Sequence, residues 1–308
     1  MKKIFILTIA LSFATIQLMA QKEYKFEKTG GKLILNNISW LNVEGYNGKE
    51  VILTVTDPKQ NNGEEQTEDP RAKGLSALNN AGFDNTGLGF AVNTKGNETV
   101  VSAIGSLGNK TLKIKLPNSV ALSLRNDAWP VTLSNKYTIE LKDVKSEIDI
   151  SIQYENCKLT NVSGPLSIKT LSGNVEVAFA KEMKSPVSIY SVRGYIDVTV
   201  NDQVKADLSL SSMSGKIYAD KSLNLEANVP NKRTPDVTEI KVDKIVVGGK
   251  ATTISQVSND STTRSLVSRI TTGTSLNYSG AGSFNGTLNG GGGKMLLQSS
   301  AGNIYLRK

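Results

Sequence analysis

The chain has 308 residues, with no histidine, one cysteine, and 36 Lys and Arg against 28 Asp and Glu, which gives a formal charge of +8. The missing histidine excludes Ser-His-Asp and Cys-His catalysis and every histidine-containing zinc site, and the single cysteine excludes an intramolecular disulfide. No P-loop or other nucleotide fingerprint is present, so no cofactor is predicted. The basic excess is modest and shows no Lys/Arg run interleaved with aromatic residues, so we expect no nucleic-acid partner.

Residues 1–20 have the pattern of a secretory signal peptide. Two lysines precede an apolar run from Ile4 to about Leu18, and Ala20 stands in position for cleavage. The run is short for a membrane span, and no later stretch approaches the roughly 18 to 20 apolar residues that spanning requires. A lipoprotein would need a cysteine at the cleavage point. We therefore expect an exported protein, in the periplasm or at the cell surface in association with the outer membrane, with neither a lipid anchor nor a transmembrane span.

Residues 21–125 alternate apolar and polar side chains, as in "KLILN" and "EVILTVT", but contain no repeated phrase. Period two predicts half-buried strands, and we expect irregular N-terminal coils and a cap. Residues 57–74 are predicted to be a polar loop with an acidic patch, and a short helix is predicted around 74–80. Near Asp84, "GFDNTGLGF" favours a turn in which the acid binds its own backbone, over a calcium loop.

Residues 126–308 are predicted to form a single-stranded β-solenoid. Three units fill residues 165–227 and open with "PLSIKTLSGNVEV", "PVSIYSVRGYIDV" and "DLSLSSMSGKIYA" at intervals of 21 residues. A looser copy, "MLLQSSAGNIYLRK", occupies residues 295–308. A unit of this length with two or three short strands and sharp corners is about one coil of a solenoid. The alternative is a sandwich or propeller of repeated hairpins, which also gives alternation and periodic glycine.

Successive coils are expected to stack in chain order at the roughly 4.8 Å spacing of hydrogen-bonded strands. Equivalent apolar side chains, such as Val175, Ile196 and Ile217, then form vertical files inside the molecule. Small hydroxyl residues recur before each corner, where they can bond neighbouring backbone. Glycine recurs at the corner itself, where we expect it to supply a backbone conformation that other residues resist. The corner glycines are Gly173, Gly194, Gly215 and Gly302.

The single cysteine and four aromatic residues are each considered as functional side chains. Cys157 shares the parity of Leu159 and is predicted to be a small buried hydrophobe rather than a reactive thiol. Four aromatic residues are candidates for stacking on sugar rings, with packing as the alternative. They are Trp40, Trp129, Tyr190 and Tyr195.

One outward column of the solenoid holds Glu176, Asp197 and Tyr218. If 21 residues make one coil, the two carboxylates stand about 5 Å apart. Such a pair could hold a cation, or act as acid and nucleophile in retaining glycoside hydrolysis. The alternative is a structural ladder whose charge is balanced by lysines. The lysines considered are Lys181, Lys184 and Lys205.

Several segments together resemble a known family. They are the exported N-terminus, "GLSALNNAGFDNTGLGFAV" at 74–92, the phrases "SGNVEV", "RGYIDV" and "SGKIYAD", and the ending "LNGGGGKMLLQSSAGNIYLRK". They resemble a domain-of-unknown-function family of β-strand repeat proteins, labelled candidate adhesins, found in Gram-negative envelopes. The resemblance implies a β-helix presented in the periplasm or at the cell surface. It carries over no catalytic or binding residue.

Two function hypotheses follow. The first is a non-catalytic envelope protein whose stacked rows act as a scaffold or adhesive surface toward an envelope glycan or a protein partner. The second is a carbohydrate-active enzyme, a hydrolase or lyase that uses Glu176, Asp197 and a cation. Catalytic β-helices carry long loops that wall a groove, and only the predicted loops 57–74 and 228–240 could do so here.

Overall fold

A computed structural model describes five stretches of the chain. They are residues 22–56, 70–105, 110–126, 138–228 and 282–308. The predicted signal peptide, Trp129 and most of the predicted loops 57–74 and 228–240 lie outside these residues.

The described residues are almost entirely β-structure, with 23 strands and one short 3-10 turn at Pro70–Ala72. In chain order the strands are β1 (Glu23–Glu27), β2 (Lys32–Asn36), β3 (Leu41–Tyr46), β4 (Glu50–Thr56), β5 (Leu78–Asn79), β6 (Gly82–Phe83), β7 (Phe90–Lys95), β8 (Glu98–Ala103), β9 (Thr111–Pro117), β10 (Ala121–Arg125), β11 (Thr138–Lys142), β12 (Ile148–Ile152), β13 (Asn156–Val162), β14 (Leu166–Thr170), β15 (Val175–Phe179), β16 (Val187–Ser191), β17 (Ile196–Thr199), β18 (Ala206–Ser212), β19 (Ile217–Ala219), β20 (Leu225–Ala227), β21 (Gly282–Leu288), β22 (Gly293–Ser299) and β23 (Ile304–Arg307). Within the described ranges no helix is long and apolar enough to cross a bilayer.

The short helix predicted around 74–80 is wrong. Gly74 has a φ of +79°, a left-handed conformation that ends helical winding after the 3-10 turn. Leu78 and Asn79 are then extended and pair with Phe83 and Gly82 in a small antiparallel hairpin.

Two large sheets contain all the other strands. Sheet A has the spatial order β1-β4-β9-β3-β11-β13-β15-β17-β23-β19, and sheet B has the order β20-β21-β18-β22-β16-β14-β12-β10-β2-β8-β7. From β10 to β17 the chain alternates between the sheets, and each strand from β12 onward pairs in parallel with the strand two steps earlier. Repeated hairpins would have paired antiparallel. The prediction of an all-β protein built from stacked parallel strands is therefore confirmed.

The coils differ in length. The Asn174 N–H donates to Asn156 Oδ1, 18 residues earlier, whereas the Tyr195 N–H donates to Asn174 Oδ1, 21 residues earlier. The difference lies in the connections, since residues 163–165 join β13 to β14 and the longer segment 180–186 joins β15 to β16.

The core lies between the two sheets and consists of vertical files of apolar side chains. Strands such as β14 and β15 alternate buried and half-buried or exposed residues, as period two requires. One file of sheet A contains, in spatial order, Leu112, Leu41, Ile139, Cys157, Val175, Ile196, Ile304 and Ile217. All but the terminal Ile217 are buried. The predicted stacking of Val175, Ile196 and Ile217 in one file is confirmed.

The predicted stacking in chain order is wrong at one place. The C-terminal coil, formed by β22 and β23, lies between the coils of residues 186–206 and 207–227. In sheet B, β22 pairs in parallel with β16 on one side and β18 on the other, and in sheet A, β23 lies between β17 and β19. Because its phrase has the same apolar spacing as the repeats, it fits between them without changing their register.

The corner glycines are required because there is no space for a Cβ atom. The predicted reason, an unusual backbone conformation, is wrong. None of the four has a positive φ. A Cβ built on Gly194 would lie 2.0 Å from the carbonyl oxygen of Gly173, and one on Gly302 would lie 2.0 Å from the carbonyl oxygen of Gly194. Gly215 and Gly173 approach the carbonyls of Gly302 and Glu155 in the same way. Successive coils therefore touch backbone to backbone at this corner.

The hydroxyl residues beside these glycines are buried and bond the backbone, as predicted. Ser299 Oγ accepts a hydrogen bond from the Gly302 N–H at 2.8 Å, and Ser212 Oγ donates to the Gly302 carbonyl at 2.9 Å. Ser191 Oγ likewise donates to the Gly194 carbonyl at 2.9 Å. Each hydroxyl thus satisfies polar backbone groups at a corner from which water is excluded.

Candidate binding surface on sheet A

The outer face of sheet A carries a continuous file of polar and aromatic side chains, because parallel strands in register place equivalent residues side by side. We call this file the polar file. In spatial order it contains Lys113, Asn42, Glu140, Lys158, Glu176, Asp197, Tyr305 and Tyr218. All eight side chains are half-buried or exposed.

A second file runs beside it, two residues further along each strand. Its central members are small, namely Thr160, Ala178 and Thr199, and Arg307 follows them. Small side chains between larger charged ones leave a shallow open depression of ≈ 260 Å³. Lys158 and Arg307 are among its lining residues.

Glu176 and Asp197 are direct neighbours on β15 and β17, as predicted. Each carboxylate has a protein donor of its own. Tyr195 Oη donates to Glu176 Oε1 at 2.6 Å, and Arg307 Nε donates to both oxygens of Asp197, at 2.8 and 2.9 Å. The bond to Glu176, together with partial burial, raises the pKa of Tyr195 to about 12. These donors offset the repulsion that two adjacent carboxylates would otherwise have.

The balancing groups are not the lysines considered from the sequence. Across the described ranges, none of those three lysines forms an ion pair with Glu176 or Asp197, and the cation on Asp197 is Arg307. No cluster of three or more Asp, Glu or Cys residues suited to a metal occurs in the part of the chain that the structure describes. The cation hypothesis therefore rests on the two acids alone, both of which are already engaged.

An aromatic cluster continues the polar file toward the end of the sheet. Tyr305 and Tyr218 are stacked, with ring centroids 5.3 Å apart and planes 9° apart. Tyr195 meets Tyr305 edge-on at 6.2 Å, and the Arg307 guanidinium lies over the Tyr305 ring at 5.3 Å. Stacking and cation–π contacts of this kind orient the rings as well as stabilise them.

Sequence reasoning found Tyr195 but missed Tyr305 and Arg307. The signal was present, because aligning "GNIYLR" with "GNVEVA" places Tyr305 in the column of Glu176 and Arg307 in the column of Ala178. The other aromatic candidates lie elsewhere. Tyr190 is on the outer face of sheet B with its hydroxyl 3.4 Å from Ser300 Oγ, and Trp40 is half-buried.

Two further predicted features are structural. Asp84 accepts hydrogen bonds from the N–H groups of Thr86, Gly87 and Gly89, so the predicted turn is confirmed. Cys157 is buried, and burial together with nearby Glu155 raises the pKa of its thiol far above the usual range. A thiol in this state is unreactive, as predicted.

One buried carboxylate was not predicted. Glu155 is 7% exposed and accepts hydrogen bonds from Asn126 Nδ2 at 2.9 Å and Ser39 Oγ at 3.2 Å. The N–H groups of Gln153 and Tyr154 also donate to it. It links three coils at a corner through these hydrogen bonds.

Comparison with known proteins finds a family model and a solved structure that are similar to this chain. Residues 131–245 match the family model described as Toastrack DUF4097, a domain of unknown function, so the family resemblance is confirmed over this segment. A solved structure titled as that of a "putative cell adhesion protein" from Clostridium sporogenes ATCC 15579 is similar at a TM-score of 0.41 and 13% identity, over 93% of this chain and 99% of that one. No curated protein shows significant sequence similarity to this chain.

Proposed function

We propose that this protein is a non-catalytic, adhesin-like binding protein of the cell envelope, and that the outer face of sheet A is its contact surface. The observation that carries the proposal is the polar file with its adjoining depression. Eight strands contribute one accessible polar or aromatic side chain each, in a single row. A long, regular and shallow surface suits contact with an extended partner better than enclosure of a small substrate.

The alternative function, a carbohydrate-active enzyme, depends on the adjacency of Glu176 and Asp197. A retaining glycosidase needs one carboxyl group that gives a proton and one that attacks the sugar. Here both carboxylate oxygens of Asp197 accept hydrogen bonds from Arg307 Nε, and Glu176 accepts a single hydrogen bond from Tyr195 Oη. These contacts engage both acids in structural hydrogen bonds, and so support the non-catalytic reading. Hydrolysis of envelope polysaccharide that disappears in both Glu176→Gln and Asp197→Asn would reverse this preference.

The envelope location is part of the proposal and comes from the predicted signal peptide. It is tested by treating intact cells that produce the full chain with protease. Cleavage in intact cells supports surface exposure, and cleavage only after the outer membrane is opened supports the periplasm. Retention in the cytoplasm would contradict both.

Binding is tested by sedimentation of residues 21–308 with isolated Gram-negative envelopes. Ala178 lies half-buried on the floor of the depression, and Ala178→Arg fills that space with a long side chain. Ser188 is half-buried on the outer face of sheet B, so Ser188→Arg is the matched control. We expect Ala178→Arg to abolish co-sedimentation and Ser188→Arg to retain it. Equal binding by both variants, or no binding by the unmodified chain, would overturn the proposal.

A further inference from the structure

We propose that Tyr218, stacked on Tyr305 beside Arg307 and Asp197, is a saccharide-binding platform that takes one ring of a hydroxyl-rich pyranose oligosaccharide. The inference rests on the proposed function and deepens it, since it names the ligand class and the anchoring residue. We call these four residues the tyrosine platform.

One face of the Tyr218 ring is open. Tyr218 lies on β19, the terminal strand of sheet A, and the residue is 47% exposed. One face of its ring is covered by Tyr305 at 5.3 Å in a nearly parallel stack. In the described part of the chain no strand of sheet A follows β19, so the other face has no strand beside it. The ring therefore presents an apolar face to the solvent.

The tyrosine platform is already ordered. Tyr305 is held by the Tyr195 edge at 6.2 Å, by the Arg307 guanidinium at 5.3 Å, and by a hydrogen bond from Asn303 Nδ2 to its hydroxyl at 3.0 Å. Because Tyr218 stacks on Tyr305, its ring is held in a nearly parallel orientation. A preordered aromatic surface binds with a smaller loss of side-chain entropy than a mobile one.

Polar groups near the tyrosine rings complement the hydroxyls of a saccharide. Arg307 uses only Nε to bind Asp197, and among the described residues its two Nη groups have no hydrogen-bond partner. The Arg307 side chain is 56% exposed and that of Asp197 is 19% exposed. A pyranose ring has an apolar C–H face and an edge of hydroxyls that both donate and accept. The open face of Tyr218 suits the C–H face of one pyranose unit, whereas Arg307 and Asp197 lie on the other side of Tyr305 and offer a donor and an acceptor to the hydroxyls of neighbouring units.

The adjoining depression favours an oligomer over a single sugar. It crosses β13, β15, β17 and β23 over a floor that includes Thr160, Ala178 and Thr199. Adjacent parallel strands lie about 4.8 Å apart. This spacing is close to the length of one pyranose unit. Charges along it are balanced, with Lys158 and Arg307 against Glu176 and Asp197. Balanced charge favours a hydroxyl-rich chain over a strongly anionic polymer, and a depression lined mainly by charged and hydroxyl residues disfavours a peptide anchored by apolar side chains.

The experiment is a glycan array probed with residues 21–308, followed by calorimetric titration with the tetrasaccharide that binds best. Three variants are compared with the unmodified chain. Tyr218→Ala removes the platform, Tyr218→Phe keeps the ring, and Tyr190→Ala removes a tyrosine from the opposite sheet. We expect Tyr218→Ala to weaken binding about tenfold or more, as for an aromatic anchor at a binding site. Tyr218→Phe and Tyr190→Ala should bind within about threefold of the unmodified chain.

The outcomes separate this inference from the proposed function. Tyr218 is exposed, so Tyr218→Ala should fold, and thermal unfolding followed by circular dichroism verifies this. Unchanged affinity of a folded Tyr218→Ala overturns the inference. So does an empty array, and if envelope binding remains sensitive to Ala178→Arg in that case, the proposed function stands with a protein partner in place of the saccharide.

Discussion

Ile196 and Ile217 hold the same place in consecutive 21-residue phrases, yet Ile304 from the C-terminal coil lies between them. This insertion brings Arg307 to Asp197 and Tyr305 to Tyr218. The candidate surface therefore depends on the last residues of the chain as much as on the repeats.

The inserted coil is expected to contribute strongly to stability. Leu297 is fully buried and pairs with Ile189 on one side and Leu210 on the other. Leu297→Ala should lower the free energy of unfolding by about 2–5 kcal/mol, because it leaves a cavity in the core. Leu296, its neighbour on the outer face, is the control, and Leu296→Ala should change stability by about 0.5 kcal/mol or less. Denaturant titration measures both, and equal effects would mean that β22 does not lie in the core as described.

The corner glycines give a second stability prediction. A Cβ at position 194 would lie 2.0 Å from the Gly173 carbonyl oxygen, and backbone must move to relieve this contact. Gly194→Ala should destabilise the protein by about 1–3 kcal/mol. Gly30 has no atom within 4 Å of the same built position, so Gly30→Ala serves as the control. Wild-type melting of Gly194→Ala would contradict the close approach of successive coils.

The bond between Tyr195 and Glu176 predicts an unusual titration. The bond and partial burial raise the pKa of Tyr195 to about 12 from the ordinary value of 10.0. A raised pKa means that this stabilisation is fully present below pH 10 and is lost as the pH rises through the folded value. NMR titration of the tyrosine Cζ signals should find one late-titrating tyrosine, absent from Tyr195→Phe and present in Tyr190→Phe. A Tyr195 signal that titrates near pH 10 would show that the bond is absent in solution.

The contribution of Asp84 to stability has the opposite pH dependence. Burial alone would raise the pKa of this carboxyl, but hydrogen bonds from Thr86, Gly89 and Gly87 outweigh it and lower the pKa below the ordinary 3.8. The stabilisation is therefore present above pH 3.8 and is lost as the pH falls through the folded value. Hydrogen exchange at the Gly87 and Gly89 amides should be faster in Asp84→Ala than in the unmodified chain at pH 6. The two should converge below the folded pKa, and equal protection at pH 6 would contradict the turn.

The sequence allowed the strands and the core files to be predicted, because period-two alternation says which side of a strand is buried. It also placed Glu176 beside Asp197, since a fixed interval becomes a fixed neighbour once parallel strands stack. The order of the coils could not be predicted. The C-terminal phrase has the same spacing as the repeats, so stacking after them and insertion among them bury the same pattern. The contact between Arg307 and Asp197 could therefore not be predicted.

The most direct test of the coil order is a pair of engineered disulfides on the outer face of sheet A. Asp197 and Tyr305 are register partners on adjacent strands, whereas Asp197 and Tyr218 are separated by β23. Adjacent partners lie about 5 Å apart, within disulfide reach, and residues two strands apart lie about 10 Å apart, beyond it. Oxidation should link Asp197→Cys to Tyr305→Cys and leave the Asp197→Cys/Tyr218→Cys variant reduced, with buried Cys157 unreactive in both. Linkage of Asp197→Cys to Tyr218→Cys alone would place the repeats in direct contact and contradict the account.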